Sequence, residues 1–319
     1  MHSFQALDKS ACGVGFLASR KNIFSHAQLE LGLHALRCVE HRGACAADQL
    51  TGDGAGIMTD IPFELFGIER NTSAVATLFV PTTPHKQRQS LKIFEEIFHF
   101  YGMEIIKYRD VPTNPSVLGE EAKATLPVII QAFIKRPVHC RTDLSFDKLL
   151  FTAKQQVRLK VKEAGFQNDF FFVSLSPKTI VYKALTKSNA LDQFYLDLKN
   201  PRFKTRFVLF HRRFSTNTKT SWDKAQPFRL IAHNGEINTI QGNRSWAIAR
   251  EKSLGVQKDE LLSREGISDS GSLNEMVESL RYRSGIPHVE DALSIMMPPA
   301  DQQNEFYKFW SRSVEPWDG

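Results

Sequence analysis

The sequence has few cysteines, no long apolar run, no internal repeat and no low-complexity segment. Its four cysteines are too few for a disulfide-stapled scaffold, which favours a reducing, cytoplasmic location. The first ten residues are polar, unlike a signal peptide, and no apolar run approaches the ~18–20 residues needed to span a bilayer. We therefore expect no membrane partner.

The charge of the chain is also modest for its length. Lysine and arginine number 41 against 35 acidic residues, a formal charge of +6. Such a charge permits anionic ligands but does not indicate a nucleic-acid partner. With 319 residues, of which 42% are hydrophobic, the chain is long enough to bury a substantial core.

Apolar alternation and helical spacing predict a mixed fold. Strands are predicted at 14–18, near 57, and at 74–80, 126–134, 170–175, 179–185, 206–211 and 228–232. Helices are predicted at 27–42, 87–101, 146–164 and from the turn at 233–235 to about 250. Ser272 with Glu275 is typical of a capping box that begins a further helix. Paired strands with grouped helices favour an α+β class over regular βαβ alternation.

Cys12 stands just before the first predicted strand. Gly13 and Gly15 flank Val14, the first residue of that strand, and they allow another backbone to approach closely. If the eleven preceding residues were removed, Cys12 would carry a free α-amino group beside its thiol. That amine titrates near neutrality and can serve as the base for a cysteine nucleophile. The alternative is a small buried cysteine at the start of a strand.

The glycine-rich segment at 51–56 allows two interpretations. A nucleotide site would need a strand before the segment and a helix after it, whereas here a helix precedes and a strand follows. A tight turn at a close-packed site is the better hypothesis.

Four potential metal ligands recur at intervals of four, three and four residues, namely His34, Cys38, His41 and Cys45. Four side chains on one continuous helix span about three turns and cannot all reach one zinc ion. We therefore expect core packing here and no metal site.

Three polar stretches later in the chain can be interpreted either as ordinary structural features or as parts of a functional site. Alternation places Arg212 and Arg213 on opposite faces of a strand, so one of them can point into a site and bind a carboxylate. Asn234 and Gly235 form a turn dipeptide, and together they also offer the side-chain amide and backbone N–H of an oxyanion hole. Asp269 is either a helix-cap residue or an anion that receives a substrate ammonium.

In combination, these stretches resemble one family. The class II glutamine amidotransferase domain of the glutamate synthase large subunit has the same motifs in the same order. The matching segments lie at 12–16, 41–44, 51–56, 213–218, 225–229, 233–239, 242–244 and 268–270, and 315–319 is similar to an interior stretch of that domain.

The resemblance implies a fold and a set of roles. The fold would be the four-layer αββα sandwich of the N-terminal-nucleophile (Ntn) hydrolases, with residues 1–11 as a propeptide and the amidotransferase domain at 12–319, short of the family's full length at its C-terminal end. Cys12 would be the nucleophile, Arg213 and Asp269 would bind the α-carboxylate and α-ammonium of L-glutamine, and Asn234 with Gly235 would hold the oxyanion.

The resemblance also implies partners and cofactors. Ammonia released from glutamine would pass to a synthase domain or subunit that aminates 2-oxoglutarate, which places the chain in nitrogen assimilation and glutamate biosynthesis. FMN and an iron–sulfur cluster belong to the full-length enzyme, and no cofactor is expected in this chain. A small reductase subunit is a further candidate partner.

Two departures from the family pattern and three alternatives accompany this hypothesis. Arg212 stands where a small residue is usual and would alter the outer face of its strand, and Gly271 stands where alanine is expected. The alternatives are a non-catalytic scaffold with an uncleaved N-terminus, an amidotransferase that serves another acceptor, and a nucleic-acid binder supported by the +6 charge alone.

Overall fold

The computed structural model describes residues 13–213, 220–235, 237, 240–250, 267–297 and 305. Its strands are β1 (Val14–Ala18), β2 (Ala55–Asp60), β3 (Ser73–Val80), β4 (Ile105–Asp110), β5 (Val128–Lys135), β6 (Phe171–Ser176), β7 (Thr179–Ala184) and β8 (Phe207–Arg212). Its α-helices are α1 (His26–Cys38), α2 (Phe63–Phe66), α3 (Pro84–Phe100), α4 (Glu120–Ala124), α5 (Asp143–Glu163), α6 (Leu191–Phe194), α7 (Ile240–Arg250), α8 (Asp269–Arg283) and α9 (Val289–Met296). Short 3-10 turns lie at Glu40–Arg42, Pro115–Val117, Ser188–Ala190, Leu196–Lys199 and Trp222–Lys224.

The strands form two antiparallel sheets, which confirms the α+β class. The first sheet has the order β1-β8-β2-β7 and the second has the order β4-β5-β3-β6. In the first sheet, β1 lies at the edge and pairs with β8 so that Val14 is opposite His211. The residue after Cys12 therefore lies beside the carboxyl end of β8.

Alternation along β3 divides the core into two clusters. Val75 and Phe79 lie in one cluster with Ile57 and Tyr182 of the first sheet, whereas Leu78 lies in a second cluster with residues of α3 and α5. Side chains on opposite faces of a strand enter different layers, so the two sheets share one core and α3 and α5 cover the far face of the second sheet.

A third cluster joins α8 and α9 to the segment before α7. It contains Phe228, Ile231, Leu273 and Val277. Across from it, Arg229 is buried against Asp147 of α5, Glu278 of α8 and the Tyr282 hydroxyl, an ion-pair group that fixes α8 to α5. The second half of α8 is thereby held against α5.

Some predicted elements were wrong. Residues 228–232 do not form a strand, because Phe228 N–H closes a local turn onto the Ile231 carbonyl and Leu230 N–H donates to the Asn274 side chain. The capping box at Ser272 was also wrong, since Ser272 lies inside α8. The helix begins at the N-cap Ser268, whose side chain accepts the Gly271 N–H at 3.1 Å.

Helix α1 ends earlier than predicted, at Cys38, and a 3-10 turn follows it. Within the described ranges, no helix is long and apolar enough to cross a bilayer.

Candidate active site

Cys12 lies outside the described residues, and β1 begins two residues after it, at Val14. The Gly13 carbonyl accepts the Arg212 N–H at 2.6 Å. A Cβ at Gly13 would lie 2.5 Å from the Arg212 carbonyl oxygen, and one at Gly15 would lie 2.5 Å from the Phe210 ring. The close approach predicted from the two glycines is confirmed, and it places the start of β1 against the end of β8.

Arg213 directly follows β8, which ends at Arg212. Its φ of 144° lies in a region that residues with a side chain seldom occupy, and the strand direction breaks there. The carbonyl oxygen of Arg213 lies 3.1 Å from His211 Nδ1 and 3.5 Å from the Gln226 N–H. Its side chain is 41% exposed, so the guanidinium can reach a ligand in solvent.

The turn at His233 is clamped from two directions. The Gln226 side chain accepts the His233 N–H at 3.1 Å and donates to the His233 carbonyl at 3.1 Å, while His211 Nε2 lies 2.9 Å from the same carbonyl. The next two residues, Asn234 and Gly235, are exposed. A fixed backbone with exposed amide donors is what an oxyanion hole requires.

His211 connects the strand end to the turn. Burial lowers the pKa of its imidazole to about 4, outweighing the carbonyls of His233 and Arg213 and the Asn234 side chain, which raise it. The ring is therefore neutral at pH 7 and carries a single N–H, which can go to one of its two flanking carbonyls at a time.

Asp269 is the first residue of α8 and contacts the segment that follows the turn. Its Oδ1 accepts the Ser270 N–H at 2.6 Å and its Oδ2 accepts the Ile237 N–H at 3.2 Å. Burial lowers the pKa of the nearby His233, and the negative charge of Asp269 opposes that shift. The Gln226 amide, 3.4 Å from the Ser270 hydroxyl, further links α8 to the turn.

The structure thus brings the predicted site residues other than Cys12 into one contact group. Arg213 contacts His211, His211 contacts His233 and Asn234, and Asp269 contacts the segment that follows them. His211 and Gln226 were not predicted as site residues. His211 contacts His233 from 22 positions away and Gln226 contacts it from 7 positions away, so neither contact is visible in the local sequence pattern. The one sequence signal for these residues was that they lie inside the 206–211 and 225–229 segments.

Arg212 corrects an expectation. Its side chain does not modify an outer face of β8 but is fully buried, where it binds Glu40 and Asp53. Of the two adjacent arginines, Arg212 is the one that forks onto carboxylates inside the protein, and Arg213 is the one that solvent reaches.

The glycine-rich segment is a close-packed turn. A Cβ at Gly52 would lie 2.3 Å from the Thr186 carbonyl oxygen, and one at Gly56 would lie 2.4 Å from the Gln226 carbonyl oxygen. Close packing against two backbones accounts for these glycines, as the packing hypothesis predicted.

The expected core packing of the histidine and cysteine series was wrong. His34, Cys38, His41 and Cys45 are all exposed. The first two lie within α1 but away from its buried face of Leu29, Gly32, Leu33 and Leu36, and the other two follow the helix, which ends at Cys38. Among the described residues there is no group of three or more histidine, cysteine, aspartate or glutamate side chains that could hold a metal ion.

Comparison with known proteins gives consistent matches along the chain. The sequence model of the family described as glutamine amidotransferases class-II matches residues 12–319. The chain is 36% identical over 340 residues to ferredoxin-dependent glutamate synthase 2 of Arabidopsis thaliana and 39% identical over 340 residues to ferredoxin-dependent glutamate synthase 2 of Synechocystis sp.. Each match covers 98% of this chain and 21% of the relative, so the chain spans about a fifth of the length of the curated relatives it matches.

Proposed function

The chain belongs to the class-II glutamine amidotransferases, and from that premise we propose that it hydrolyses the side-chain amide of L-glutamine to glutamate and ammonia. The observation that carries the proposal is the contact group that joins Arg213, the turn at Asn234 and the start of α8 at Asp269. A cation, an anion and exposed amide donors within one such group suit an amino-acid amide.

We propose Cys12 as the nucleophile, with its own α-amino group as the base once residues 1–11 are removed. The amine titrates near neutrality and takes the thiol proton, and the thiolate then attacks the side-chain carbonyl carbon of glutamine. Retention of residues 1–11 would leave this nitrogen in a peptide bond, where it is not basic. Removal of the propeptide therefore activates the site.

Arg213 and Asp269 are assigned to the two charged ends of the substrate backbone. The exposed guanidinium of Arg213 can form two parallel hydrogen bonds to the α-carboxylate. The Asp269 carboxylate, at the start of α8, receives the α-ammonium. These contacts fix the side-chain amide relative to the thiolate, and such positioning lowers the entropic part of the barrier.

The Asn234 side chain and the Gly235 N–H are assigned to the oxyanion of the tetrahedral intermediate. As the intermediate collapses, the carbon–nitrogen bond breaks and the proton held by the Cys12 amine passes to the departing ammonia. Water then gives a proton to the amine, adds to the thioester and breaks the carbon–sulfur bond, releasing glutamate and regenerating the thiol.

The proposal for the larger assembly is based on the names of the matched relatives. Several are ferredoxin-dependent glutamate synthases by name, and we propose that ammonia passes to a synthase domain that aminates 2-oxoglutarate with ferredoxin as electron donor. FMN and an iron–sulfur cluster supply the reducing chemistry of such an enzyme. Both groups are proposed to lie in the synthase part of the enzyme, and hydrolysis of glutamine uses neither of them.

We further propose the four-layer αββα arrangement and a domain that runs from residue 12 to 319. The core shared by the two sheets and the packing of α3 and α5 on the second sheet support this arrangement. The packing of Gly32 of α1 against Val208 of β8 supports a helical layer on the first sheet.

The proposed activity is tested with protein whose first residue is Cys12. Glutamate and ammonia are measured during incubation with L-glutamine for the unaltered protein, the Cys12→Ala variant and the matched Cys38→Ala variant, in which an exposed cysteine is removed. The proposal predicts activity that is lost in Cys12→Ala and retained in Cys38→Ala. Inactivity of the unaltered protein would contradict the proposal and favour a non-catalytic scaffold. Full activity of Cys12→Ala would contradict the role of Cys12 as the nucleophile.

A further inference from the structure

All five N–H groups of the buried Arg212 have acceptors. Nε and one Nη2 hydrogen bind the two oxygens of Glu40 at 3.0 and 2.9 Å. Nη1 donates to Asp53 Oδ1 and, at 2.9 Å, to the Gly54 carbonyl, while Nη2 is 3.4 Å from the Ala44 carbonyl. A permanently charged guanidinium with every donor used is held rigidly and can act as a fixed positive charge.

The surrounding loop is shaped to this guanidinium. A Cβ at Gly43 would lie 2.0 Å from Arg212 Cζ, so the backbone passes directly over the charged group. Burial raises the pKa of Glu40, but hydrogen bonds from Arg212 and Ser188 outweigh it and leave that pKa below its ordinary value. Glu40 is therefore ionised, and both of its carboxylate oxygens bind Arg212.

Asp53 bridges the buried arginine and the exposed one. Its Oδ1 binds Arg212, and its Oδ2 lies 3.4 Å from Nε of Arg213. Its backbone N–H donates to the Ala44 carbonyl at 3.1 Å, and the side chain is only 6% exposed. The carboxylate is therefore fixed before any substrate arrives, and it contacts Arg213 through the nitrogen closest to the arginine stem.

We propose that Asp53 is a positioning residue for the glutamine α-carboxylate, acting through Arg213, and that Arg212 is its counter-charge. This inference rests on the proposed function. Asp53 holds Arg213 by Nε, which directs the two terminal nitrogens of the guanidinium toward the substrate carboxylate. Without Arg212, the Asp53 charge would bind Arg213 more closely and would repel the incoming carboxylate.

The test is steady-state glutaminase kinetics of protein beginning at Cys12, with L-glutamine and with L-glutaminamide, in which an amide replaces the α-carboxylate. For Asp53→Asn we expect KM for glutamine to rise roughly tenfold with kcat within about twofold, because the loss concerns binding of a charged group. The selectivity for glutamine over glutaminamide should fall by a similar factor.

Asp60→Asn is the matched control. Asp60 is a buried aspartate paired with Arg206 at the opposite end of β2 and β8, so it reports the general cost of weakening a buried ion pair in this sheet. We expect Asp60→Asn to lower the unfolding temperature without changing the selectivity between the two substrates.

A second variant keeps the inference testable if Asp53→Asn folds poorly. Asp53→Glu keeps the charge that pairs with Arg212 and leaves the Arg213 guanidinium intact, but it moves the carboxylate by one methylene relative to Arg213 Nε. It should lower the selectivity in the same direction. Unchanged selectivity in Asp53→Asn or Asp53→Glu, or equal losses for both substrates, would overturn the inference. An unaltered protein that does not hydrolyse glutamine would instead overturn the proposed function on which it rests.

Discussion

Nε2 of His211 lies 2.9 Å from the carbonyl oxygen of His233, and Nδ1 of the same ring lies 3.1 Å from the carbonyl oxygen of Arg213. One buried imidazole therefore connects the arginine assigned to the substrate carboxylate with the turn assigned to the oxyanion. The ring is packed in the interior and lies within hydrogen-bond distance of both carbonyls, and its one N–H donates to either of them. It therefore ties the spacing of these two subsites to the protein interior and not to the ligand.

His211 should make stability depend on pH. Its pKa is lowered to about 4 in the fold from 6.5, so below about pH 6.5 the unfolded chain binds more protons than the folded one. The contribution of neutral His211 to the free energy of unfolding is fully present above that pH. It is lost as the pH falls toward 4, and the loss is at most about 3 kcal/mol.

Urea unfolding between pH 4 and 7.5 measures this effect. The His211→Asn variant should lose less stability over that range than the unaltered protein, while His85→Asn, at an exposed position of α3, should follow the unaltered protein. Parallel pH curves for His211→Asn and the unaltered protein would show that the ring is not the titrating group.

Asn234→Ala should lower kcat by about 10²–10³ with a small change in KM, since the amide donor acts on charge that develops only in the transition state. Steady-state kinetics with L-glutamine provide the measurement, and Asn168→Ala, at an exposed position away from the turn, is the control. A loss confined to KM would assign Asn234 to ground-state binding instead.

Arg229→Met should destabilise the fold by about 3–5 kcal/mol, because Asp147 and Glu278 would lose their shared buried counter-charge. Chemical denaturation measures the loss, and Arg141→Met on the exposed surface should leave stability nearly unchanged. A variant as stable as the unaltered protein would mean that Lys154, which also binds Glu278, compensates for the missing guanidinium.

The sequence predicted best the elements with a clear apolar pattern. β1 was predicted with its observed ends from its apolar run, although none of its residues is buried. The α5 prediction differs by three residues at its start, and the apolar residues at helical spacing match the face that the helix buries. β4 was missed because it is an edge strand with no buried residue, and charged residues make up three of its six positions, so its pattern lacks an apolar face.

The site residues differ in how they were found. Asn234 and Gly235 were singled out from their own chemistry, whereas the choice of Arg213 over Arg212 came from the family resemblance. The supporting residues were not predicted, because their function depends on partners distant in the chain: Arg212 finds its carboxylate in Asp53, 159 positions away. Sequence periodicity indicates that Arg212 and Arg213 face apart, but it does not indicate which of the two is buried.

The central claim is that Cys12 becomes an N-terminal nucleophile, and the intact mass of the purified protein tests it most directly. Mass is measured before and after exposure to a diazoketone analogue of glutamine, alongside Cys12→Ala, which controls for labelling of the exposed Cys38 and Cys45. We predict a chain that begins at Cys12 and gains one adduct, with none in Cys12→Ala. A chain that retains residues 1–11 and remains unlabelled would contradict the account.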